Sequence, residues 1–349
     1  MKILGLTYHN SGCGYHRIFN PLAYMDGERH VTDLATPEII ESGWDIIVFN
    51  RTCEHDKEIK RPREITGAKI VVDMDDEWVL PPGHVNYREY LANRDRIERN
   101  MMEADAITCT HDRLAERCRQ INENVWVIPN AIPFGRDQFT EEKIQDSSIR
   151  LFWAGGISHV NDIEMLRRPM RRISTINNIK SVIGGYSASD PVTKSKWDRM
   201  VSAFTNSLKI KGMVLPSLPV NKYMSHHVYG DIMIVPLENG YWHSMKSNLK
   251  LLEAACKRMP VIVSKVNPYI EGNPPALYVE NQRDWYDHVR YLVNNPGQIK
   301  VWGDWLYSWA KQFDLIEVNK IREKCYQSIL SHSKSTSIST TSLKEPASL

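Results

Sequence analysis

The residues best suited to chemistry lie in one segment, 231–264, which reads DIMIVPLENGYWHSMKSNLKLLEAACKRMPVIVS. Its apolar run 232–237 predicts a buried strand, and a polar loop with Gly, Asn, His and Ser follows. From Ser247 onward the apolar side chains recur at helical spacing, with Ser247 or Asn248 placed to cap the helix. The segment therefore predicts a strand, a binding loop and a helix start in succession.

A helix start of this kind is suited to binding an anion. Its free backbone N–H groups and the positive end of its dipole attract negative charge, and Lys246 and Lys250 add two cations. Glu253 lies one turn into the helix, where a carboxylate can accept hydrogen bonds from ribose hydroxyls. We therefore predict a phosphate site formed by these three side chains together with Ser247 and Asn248.

The first predicted strand is followed by a glycine-containing loop, HNSGCGYHRIFNPL, with Gly12, Gly14 and Arg17. Glycines directly after a strand let the backbone approach a ligand closely, and an arginine on the opening helix can bind phosphate or carboxylate. The third glycine of the dinucleotide-binding fingerprint is missing, and a simple tight turn is the alternative explanation.

Three carboxylates end the strand-like run in AKIVVDMDDEWVLPPGH, namely Asp73, Asp75 and Asp76. Neighbouring carboxylates repel one another and can raise a pKa, which makes Asp75 and Asp76 candidate proton acceptors in catalysis or candidate metal ligands. The alternative is that one of them caps a turn and another pairs with Arg88 or Arg94.

His111 is a third candidate catalytic residue, at the start of a predicted helix in ADAITCTHDRLAERCRQINENVWVIPNAI. A histidine there can contact a bound substrate, whereas its alternative role is that of a partly exposed residue that begins the helix.

The second half of the chain opens with a similar loop, FWAGGISHVNDIEML. Gly155 and Gly156 follow a predicted strand, and His159 lies in the loop, so we expect backbone groups to meet phosphates there. Tight packing of strand on helix is the alternative reason for the glycine pair. The run Gly184–Tyr186, after the next strand, is a candidate for contact with a nucleotide base.

A basic run stands on the next predicted helix, although Pro169 interrupts it. Spacing of three and four brings its arginines toward one face, which suits an acidic polymer or a solvated surface. The run consists of Arg167, Arg168, Arg171 and Arg172.

Strand-like and helix-like segments alternate along the chain, which predicts parallel sheets covered on both faces. The first half contains candidate strands Ile3–Tyr8, Trp44–Phe49, Lys69–Met74, Ala106–Thr110 and Val125–Ile128. The second half contains Arg150–Ala154, Lys180–Ile183, Lys209–Val214, Asp231–Pro236, Pro260–Ser264 and Ala276–Val279.

Length and composition bound the class of protein. The 349 residues suit two domains of about 150 residues each. A formal net charge of +2 indicates no particular partner. The six cysteines form no CxxC pair, and His226-His227 has no third ligand at suitable spacing, so we expect no disulfide framework and no metal. Met1 leads straight into a strand and no apolar run approaches ~18 residues, so we expect a cytoplasmic protein without a membrane span.

The segment 231–264 resembles the nucleotide-sugar site of retaining GT-B glycosyltransferases, in which a loop and helix start bind the diphosphate and a helix glutamate binds the ribose. In much of that family two glutamates stand eight positions apart; Glu253 matches the second, and Met245 occupies the place of the first. The GxGxxR arrangement that ends at Arg17, the glycine pair at 155–156 and the Ile-Pro-Asn turn are similar to the same family.

The resemblance implies an α/β fold of two facing doubly wound, Rossmann-like domains with a C-terminal crossover helix and a disordered tail. We expect an acceptor-side domain over residues 1–140, a polar connection near 134–148 and a nucleotide-sugar domain over 148–310. A helix over 311–330 would pack back on the first domain, and 331–349 would be disordered. The tryptophan-rich stretch from Trp302 would begin the crossover element, or would pack locally in the second domain.

The implied activity is transfer of a sugar, with retained configuration, from a nucleotide-diphosphate donor such as a UDP-sugar to a hydroxyl. The donor is a substrate, and no separate cofactor is expected. The GxGYxR opening and the DxDDxW segment are similar to bacteriophage glycosyltransferases, some of which modify hydroxymethylated pyrimidines in DNA, so duplex DNA is one expected acceptor. A glycan, lipid or protein hydroxyl is the alternative acceptor. A noncatalytic nucleotide-sugar binding protein and a sugar-nucleotide epimerase are the alternatives from other classes.

Overall fold

The computed structural model describes residues 1–7, 11–51, 60 and 63–332 of the chain. The tail predicted from residue 331 lies outside the described residues, apart from Ser331 and His332, which end the last helix.

The described strands of the first half form one parallel six-stranded sheet in the order β2-β1-β3-β4-β5-β6. Successive side chains of a strand point to opposite faces, so Leu4 of β1 packs in one core and Ile3 in the core beneath the other face. The strands are β1 (Lys2–Leu6), β2 (Glu28–Thr32), β3 (Ile46–Asn50), β4 (Lys69–Met74), β5 (Ala106–Cys109) and β6 (Val125–Val127).

The described strands of the second half form another parallel six-stranded sheet, in the order β12-β11-β10-β7-β8-β9. Its two faces also carry separate apolar cores. The strands are β7 (Ile149–Ala154), β8 (Ile179–Tyr186), β9 (Gly212–Pro216), β10 (Ile232–Val235), β11 (Val261–Ser264) and β12 (Leu277–Val279).

Helices cover both faces of the two sheets. Those of the first half are Gly12–Gly14, the π-helical Tyr15–Phe19, Asn20–Ala23, Pro37–Ile40, Tyr87–Glu103 and Asp112–Cys118. Those of the second half are the 3₁₀ turns Ile157–His159, Tyr223–Tyr229 and Lys311–Phe313 and the α-helices Val160–Glu164, Arg167–Ile173, Pro191–Phe204, Tyr241–Ser244, Leu249–Cys256, Gln282–Asn294, Gly297–Ala310 and Leu315–His332. None of the helices among the described residues of the whole chain is long and apolar enough to cross a lipid bilayer.

The expected crossover element is the last helix, Leu315–His332. Its Leu315, Val318 and Tyr326 are buried in the same core as Ile3 of the first sheet. The tryptophan-rich helix Gly297–Ala310 instead packs in the second domain, where Leu306 and Ala310 are buried. The tryptophan-rich stretch therefore packs locally in the second domain, and the crossover is made by the helix that follows it, Leu315–His332.

The segment expected as a polar connection carries two buried aromatic residues. Phe134 and Phe139 pack in the core of the second domain beside Leu252. Lys257 Nζ donates to the backbone oxygen of Thr140 at 2.6 Å, which anchors the connection to the helix Leu249–Cys256.

Candidate functional site

A cleft lies between the two sheets, at the carboxyl ends of their strands. Strand order reverses between β1 and β3 in the first sheet and between β7 and β10 in the second, and ligands of doubly wound sheets bind at such reversal points. The loops after β1, β7 and β10 all contribute to the cleft, which encloses about 530 Å³. We call this space the interdomain cleft.

Eleven of the residues predicted from the sequence line the interdomain cleft, and three do not. The lining residues are Gly12, Arg17, Asp75, Asp76, Gly155, Gly156, His159, Lys246, Ser247, Lys250 and Glu253. Gly14, His111 and Asn248 lie outside the lining.

The start of the helix Leu249–Cys256 faces the cleft. Asn248 stands at its N-cap position, but its side chain forms no capping hydrogen bond to the described backbone. The predicted side-chain cap is therefore absent there, and N–H groups of the first turn stay available to a ligand. Lys250 Nζ donates to the backbone oxygen of Ala154 at 2.6 Å, which places this cation beside the glycine loop that follows β7. Burial lowers the pKa of Lys250, and its proximity to Glu253 opposes that effect.

Lys246 reaches across the cleft to the first domain. Its Nζ lies 3.4 Å from Asp76 Oδ2 and 4.1 Å from the ring centroid of Trp242. Asp76 Oδ2 also lies 4.0 Å from the guanidinium of Arg51. An ion pair between the domains thus joins a predicted phosphate-binding lysine to a predicted catalytic carboxylate.

Glu253 belongs to a buried hydrogen-bonded chain that crosses between the domains. Tyr223 donates its hydroxyl proton to Glu253 Oε1 at 2.8 Å, and His16 Nε2 lies 3.0 Å from the same hydroxyl oxygen. Since Tyr223 has one proton to give, His16 must carry its proton on Nε2 and donate it to Tyr223. His227 Nε2 faces the other carboxylate oxygen at 3.7 Å.

The charge state of this chain follows from its surroundings. Burial would raise the pKa of Glu253, but Lys250 and His227 outweigh it and lower that pKa to about 2. Burial lowers the pKa of His16 to about 4, against the opposing effect of Glu253. At neutral pH the site therefore offers an ionised Glu253, which can accept hydroxyl protons, beside a neutral His16.

The glycine loop after β7 lies against the lysine. A Cβ at Gly155 would lie 3.2 Å from Lys250 Nζ and 2.8 Å from the ring of Trp153, whereas a Cβ at Gly156 would meet only Ser158 Oγ, at 3.9 Å. His159 donates from Nδ1 to Asp162 at 2.7 Å, which leaves Nε2 as the ring atom for a ligand. Burial lowers the pKa of His159, and the hydrogen bond with Asp162 opposes that effect.

Arg17 is engaged within the protein. Its Nε and one terminal nitrogen bind Asp73 at 2.9 and 2.8 Å, and the other donates to the oxygens of Ile128 and Asn130. Asn130 in turn donates to Ser247 Oγ at 2.6 Å, so this chain of contacts links the first domain to the start of the helix Leu249–Cys256. Arg17 thus connects parts of the first domain that line the cleft. Its contact with a donor phosphate stays a prediction.

The carboxylate cluster differs electrostatically from the sequence expectation. Asp75 Oδ1 accepts hydrogen bonds from Nε and one terminal nitrogen of Arg51, its neighbour in space, and from Asn50 Nδ2 at 3.1 Å. Burial would raise the pKa of Asp75, but Arg51 and hydrogen bonds from Cys13 and Asn50 lower it to about 2. The expected rise of a pKa by mutual repulsion is therefore wrong for Asp75, because the neighbouring arginine compensates its charge.

The arginines proposed as alternative partners lie elsewhere. Arg94 pairs with Glu98, four residues along the same helix, at 3.0 Å. Arg88 is an exposed residue of that helix. The partner of Asp75 is instead Arg51, which follows β3 and was missed because no local pattern marks it.

His111 lies at the contact between the domains. Its Nδ1 accepts from the backbone N–H of Leu114 and caps the helix Asp112–Cys118, and its Nε2 lies 3.0 Å from the backbone oxygen of Met245. Both ring nitrogens are therefore engaged, which fits the helix-starting role and gives the proposed catalytic role no geometric support.

Gly14 has a packing role. A Cβ at Gly14 would lie 1.6 Å from Thr7 Oγ1, so the loop can close onto the end of β1 only with glycine at this position. Gly12, by contrast, lines the cleft and has open space around the Cβ position.

The basic run lies away from the cleft. The helix Arg167–Ile173 lies between the helix that leaves the cleft and the start of β8. This places it toward the amino-terminal ends of the strands, away from the cleft. Arg167 pairs with Glu164 at 2.8 Å, and Arg172 stacks over Tyr286. This placement favours a solvated surface for the run.

One group of possible metal ligands exists among the described residues, formed by Asp162, Glu238 and His243. Asp162 already accepts hydrogen bonds from His159 and from the backbone N–H of Glu238, at 2.7 and 2.8 Å. Asp162 is therefore already engaged by protein donors.

Two facing Rossmann-like domains, a cleft at both reversal points and a crossover helix define the GT-B fold. Solved structures of glycosyltransferases share it. Sucrose-phosphate synthase from Thermosynechococcus elongatus aligns with a TM-score of 0.70 and 11% identity over 95% of this chain and 100% of its own. Anabaena HepE, solved with UDP and glucose, aligns with a TM-score of 0.68 and 11% identity over 94% and 100% of the two chains.

A glycosyltransferase from Rickettsia africae aligns with a TM-score of 0.64 and 11% identity over 94% of this chain and 98% of its own. No protein-family model and no curated protein matches the sequence. The similarity is thus one of fold, and it confirms the α/β architecture of two facing domains that the sequence predicts.

Proposed function

We propose that this protein is a glycosyltransferase that moves a sugar from a nucleoside-diphosphate donor to a hydroxyl group. The observation that carries the proposal is the convergence of Lys246, Lys250 and the uncapped helix start on one cleft that also holds the ionised Glu253. Cations and backbone N–H groups fixed at this point would stabilise the charge that develops on a leaving diphosphate.

A uridine diphosphate donor is the first candidate, because Anabaena HepE was solved with UDP and glucose bound. In this chain, Glu253 would accept hydrogen bonds from the ribose hydroxyls, and the loop 155–159 would meet the phosphates. Retention of configuration rests on the sequence resemblance to the retaining branch.

The acceptor proposed is a glycan, lipid or protein hydroxyl. Duplex DNA was expected to use the basic run 167–172, but that run lies toward the amino-terminal ends of the strands, whereas the cleft lies at their carboxyl ends. A DNA acceptor would have to reach the cleft along another surface. Salt-dependent binding to hydroxymethylated duplex DNA, with transfer of labelled sugar to it, would favour DNA instead.

The donor is tested by thermal-shift screening of the purified protein with UDP, GDP, ADP and dTDP and their common sugars, since a bound ligand raises the unfolding temperature by mass action. We expect selective stabilisation by one nucleoside diphosphate and turnover of its sugar. Binding without turnover over a broad acceptor panel would favour a noncatalytic binding protein. Release of free nucleotide without an acceptor would favour an epimerase.

Lys246→Ala and Lys250→Ala should each weaken binding of the identified nucleoside diphosphate by about tenfold or more, because each removes a charge-assisted hydrogen bond. Calorimetry measures the change. Lys265→Ala is the matched control, because that lysine pairs with Glu280 on the surface at 2.6 Å. Unchanged affinity in both cleft variants would remove the proposed diphosphate site.

A further inference from the structure

The ion pair between Asp76 and Lys246 has a consequence for donor binding. The two side chains come from positions 170 residues apart and meet across the cleft at 3.4 Å. Both line the space that the donor would occupy. In the ligand-free protein, therefore, a carboxylate of the first domain neutralises a cation that the proposed diphosphate needs.

Asp76 differs from its neighbour Asp75 in how firmly it is held. Asp75 is 9% exposed and receives several hydrogen bonds from Arg51 and Asn50. The side chain of Asp76 is 25% exposed, and its cations are Lys246 at 3.4 Å and Arg51 at 4.0 Å. Asp76 is the member of the cluster that can exchange its partner.

We propose that the donor diphosphate displaces Asp76 from Lys246. This inference rests on the proposed function and adds to it a carboxylate of the protein that competes with the donor. The physical reason is that a diphosphate carries more negative charge than one carboxylate and also binds the helix start, so it is the stronger partner for Lys246.

The displacement makes Asp76 a competitor of the donor, which a binding experiment detects without knowledge of the acceptor. Ion pairs at the protein surface are worth at most about 1 kcal/mol, and this pair is partly exposed, so Asp76→Asn should tighten UDP binding about two- to fivefold. This tightening of UDP binding should vanish in the Lys246→Gln background, because Asp76 and the diphosphate then have no lysine for which to compete. Equal tightening in both backgrounds would show simple repulsion between Asp76 and the diphosphate and would overturn the proposal, as would unchanged affinity.

A control separates this pair from the general charge of the cleft. Glu238→Gln removes the same charge from a carboxylate that faces His243 at 3.5 Å, and it should leave UDP affinity within about twofold of wild type. A tightening equal to that of Asp76→Asn would contradict a specific role of the pair.

Thermal unfolding of the same four proteins tests the pair without a ligand. The effects of Asp76→Asn and Lys246→Gln on the unfolding temperature should be non-additive in the absence of UDP and additive at saturating UDP. Additivity in both conditions would overturn the inference while leaving the donor site intact. Failure of the wild-type protein to bind UDP or any other nucleoside diphosphate would overturn the proposed function, and the inference with it, even where the ligand-free coupling is present.

Discussion

At the scale of single residues, the site is governed by how buried charges are compensated. Glu253 and Asp75 both have a pKa of about 2, because each is buried beside a cation. Both are poor proton acceptors as a result, and both suit hydrogen bonding to hydroxyl groups or to fixed donors. The chemistry that fits such a site is charge stabilisation and positioning of hydroxyl groups. Neither of these two carboxylates is suited to act as a general base.

Two histidines with lowered pKa values make acid stability a testable property. Burial lowers the pKa of His16 and of His84 to about 4, from an ordinary value near 6.5. Between these values the unfolded chain binds protons that the folded chain does not, so stability should be complete above pH 6.5 and should fall as the pH drops toward 4.

His16→Gln should make this loss shallower. The glutamine keeps an N–H group for Tyr223 but cannot titrate, which removes up to about 3 kcal/mol of the difference in unfolding free energy between pH 7.5 and pH 4. Urea denaturation at several pH values measures it. Comparison with wild type at pH 7.5 separates any general destabilisation, and parallel pH curves for the two proteins would contradict the assignment.

At the scale of elements, the strands with buried apolar runs were predictable, whereas two exposed strands at sheet edges were missed or displaced. β2 was missed because its sequence, ERHVT, has no apolar run and its side chains are exposed or half-buried at the sheet edge. β9 was expected over 209–214 and lies at Gly212–Pro216, again at an exposed edge. An edge strand is fixed by backbone pairing with its neighbour, and sequence periodicity carries little of that information.

The two glycine-bearing loops of the second domain should respond differently to an added methyl group. Gly156→Ala should leave stability nearly unchanged, since its Cβ position is open, but should weaken donor binding by about tenfold because the methyl enters the cleft. Calorimetry and denaturation measure the two effects. Normal donor affinity in this variant would remove the loop from the phosphate site.

Gly185→Ala provides the contrast. Its φ is +105°, and a Cβ would lie 2.3 Å from the backbone oxygen of Gly155, so we expect a loss of about 2 kcal/mol or more of unfolding free energy.

At the scale of the whole molecule, the crossover helix ties the two domains together. Tyr326 is 2% exposed and packs with Ile18 and Val48 in the core of the first domain, although it follows the second domain in sequence. Contacts across the cleft, such as those of His111 and Asn130, add polar links between the same two bodies.

Tyr326→Ala should destabilise the protein by about 3 kcal/mol, because it leaves a large cavity in that core. Ile321→Ala on the same helix is the control, since Ile321 is 38% exposed and should cost less than about 1 kcal/mol. Chemical denaturation compares them. Equal losses would mean that the helix is held by its local structure and not by the buried face.

The sequence by itself determined the alternation of strands and helices, and with it the twin-sheet fold. It also determined the helix start that carries Lys246, Lys250 and Glu253, because these features depend on residues close together in the chain. The tertiary structure decided which charges compensate one another. Arg17 meets Asp73, Asp76 meets Lys246 and His16 meets Tyr223 over separations of 56, 170 and 207 residues. Such partners are set by tertiary packing, within the first domain for Arg17 and Asp73 and between the docked domains for the other two pairs. The energy of a buried polar group depends on what lies beside it in space, and no local pattern records that neighbour.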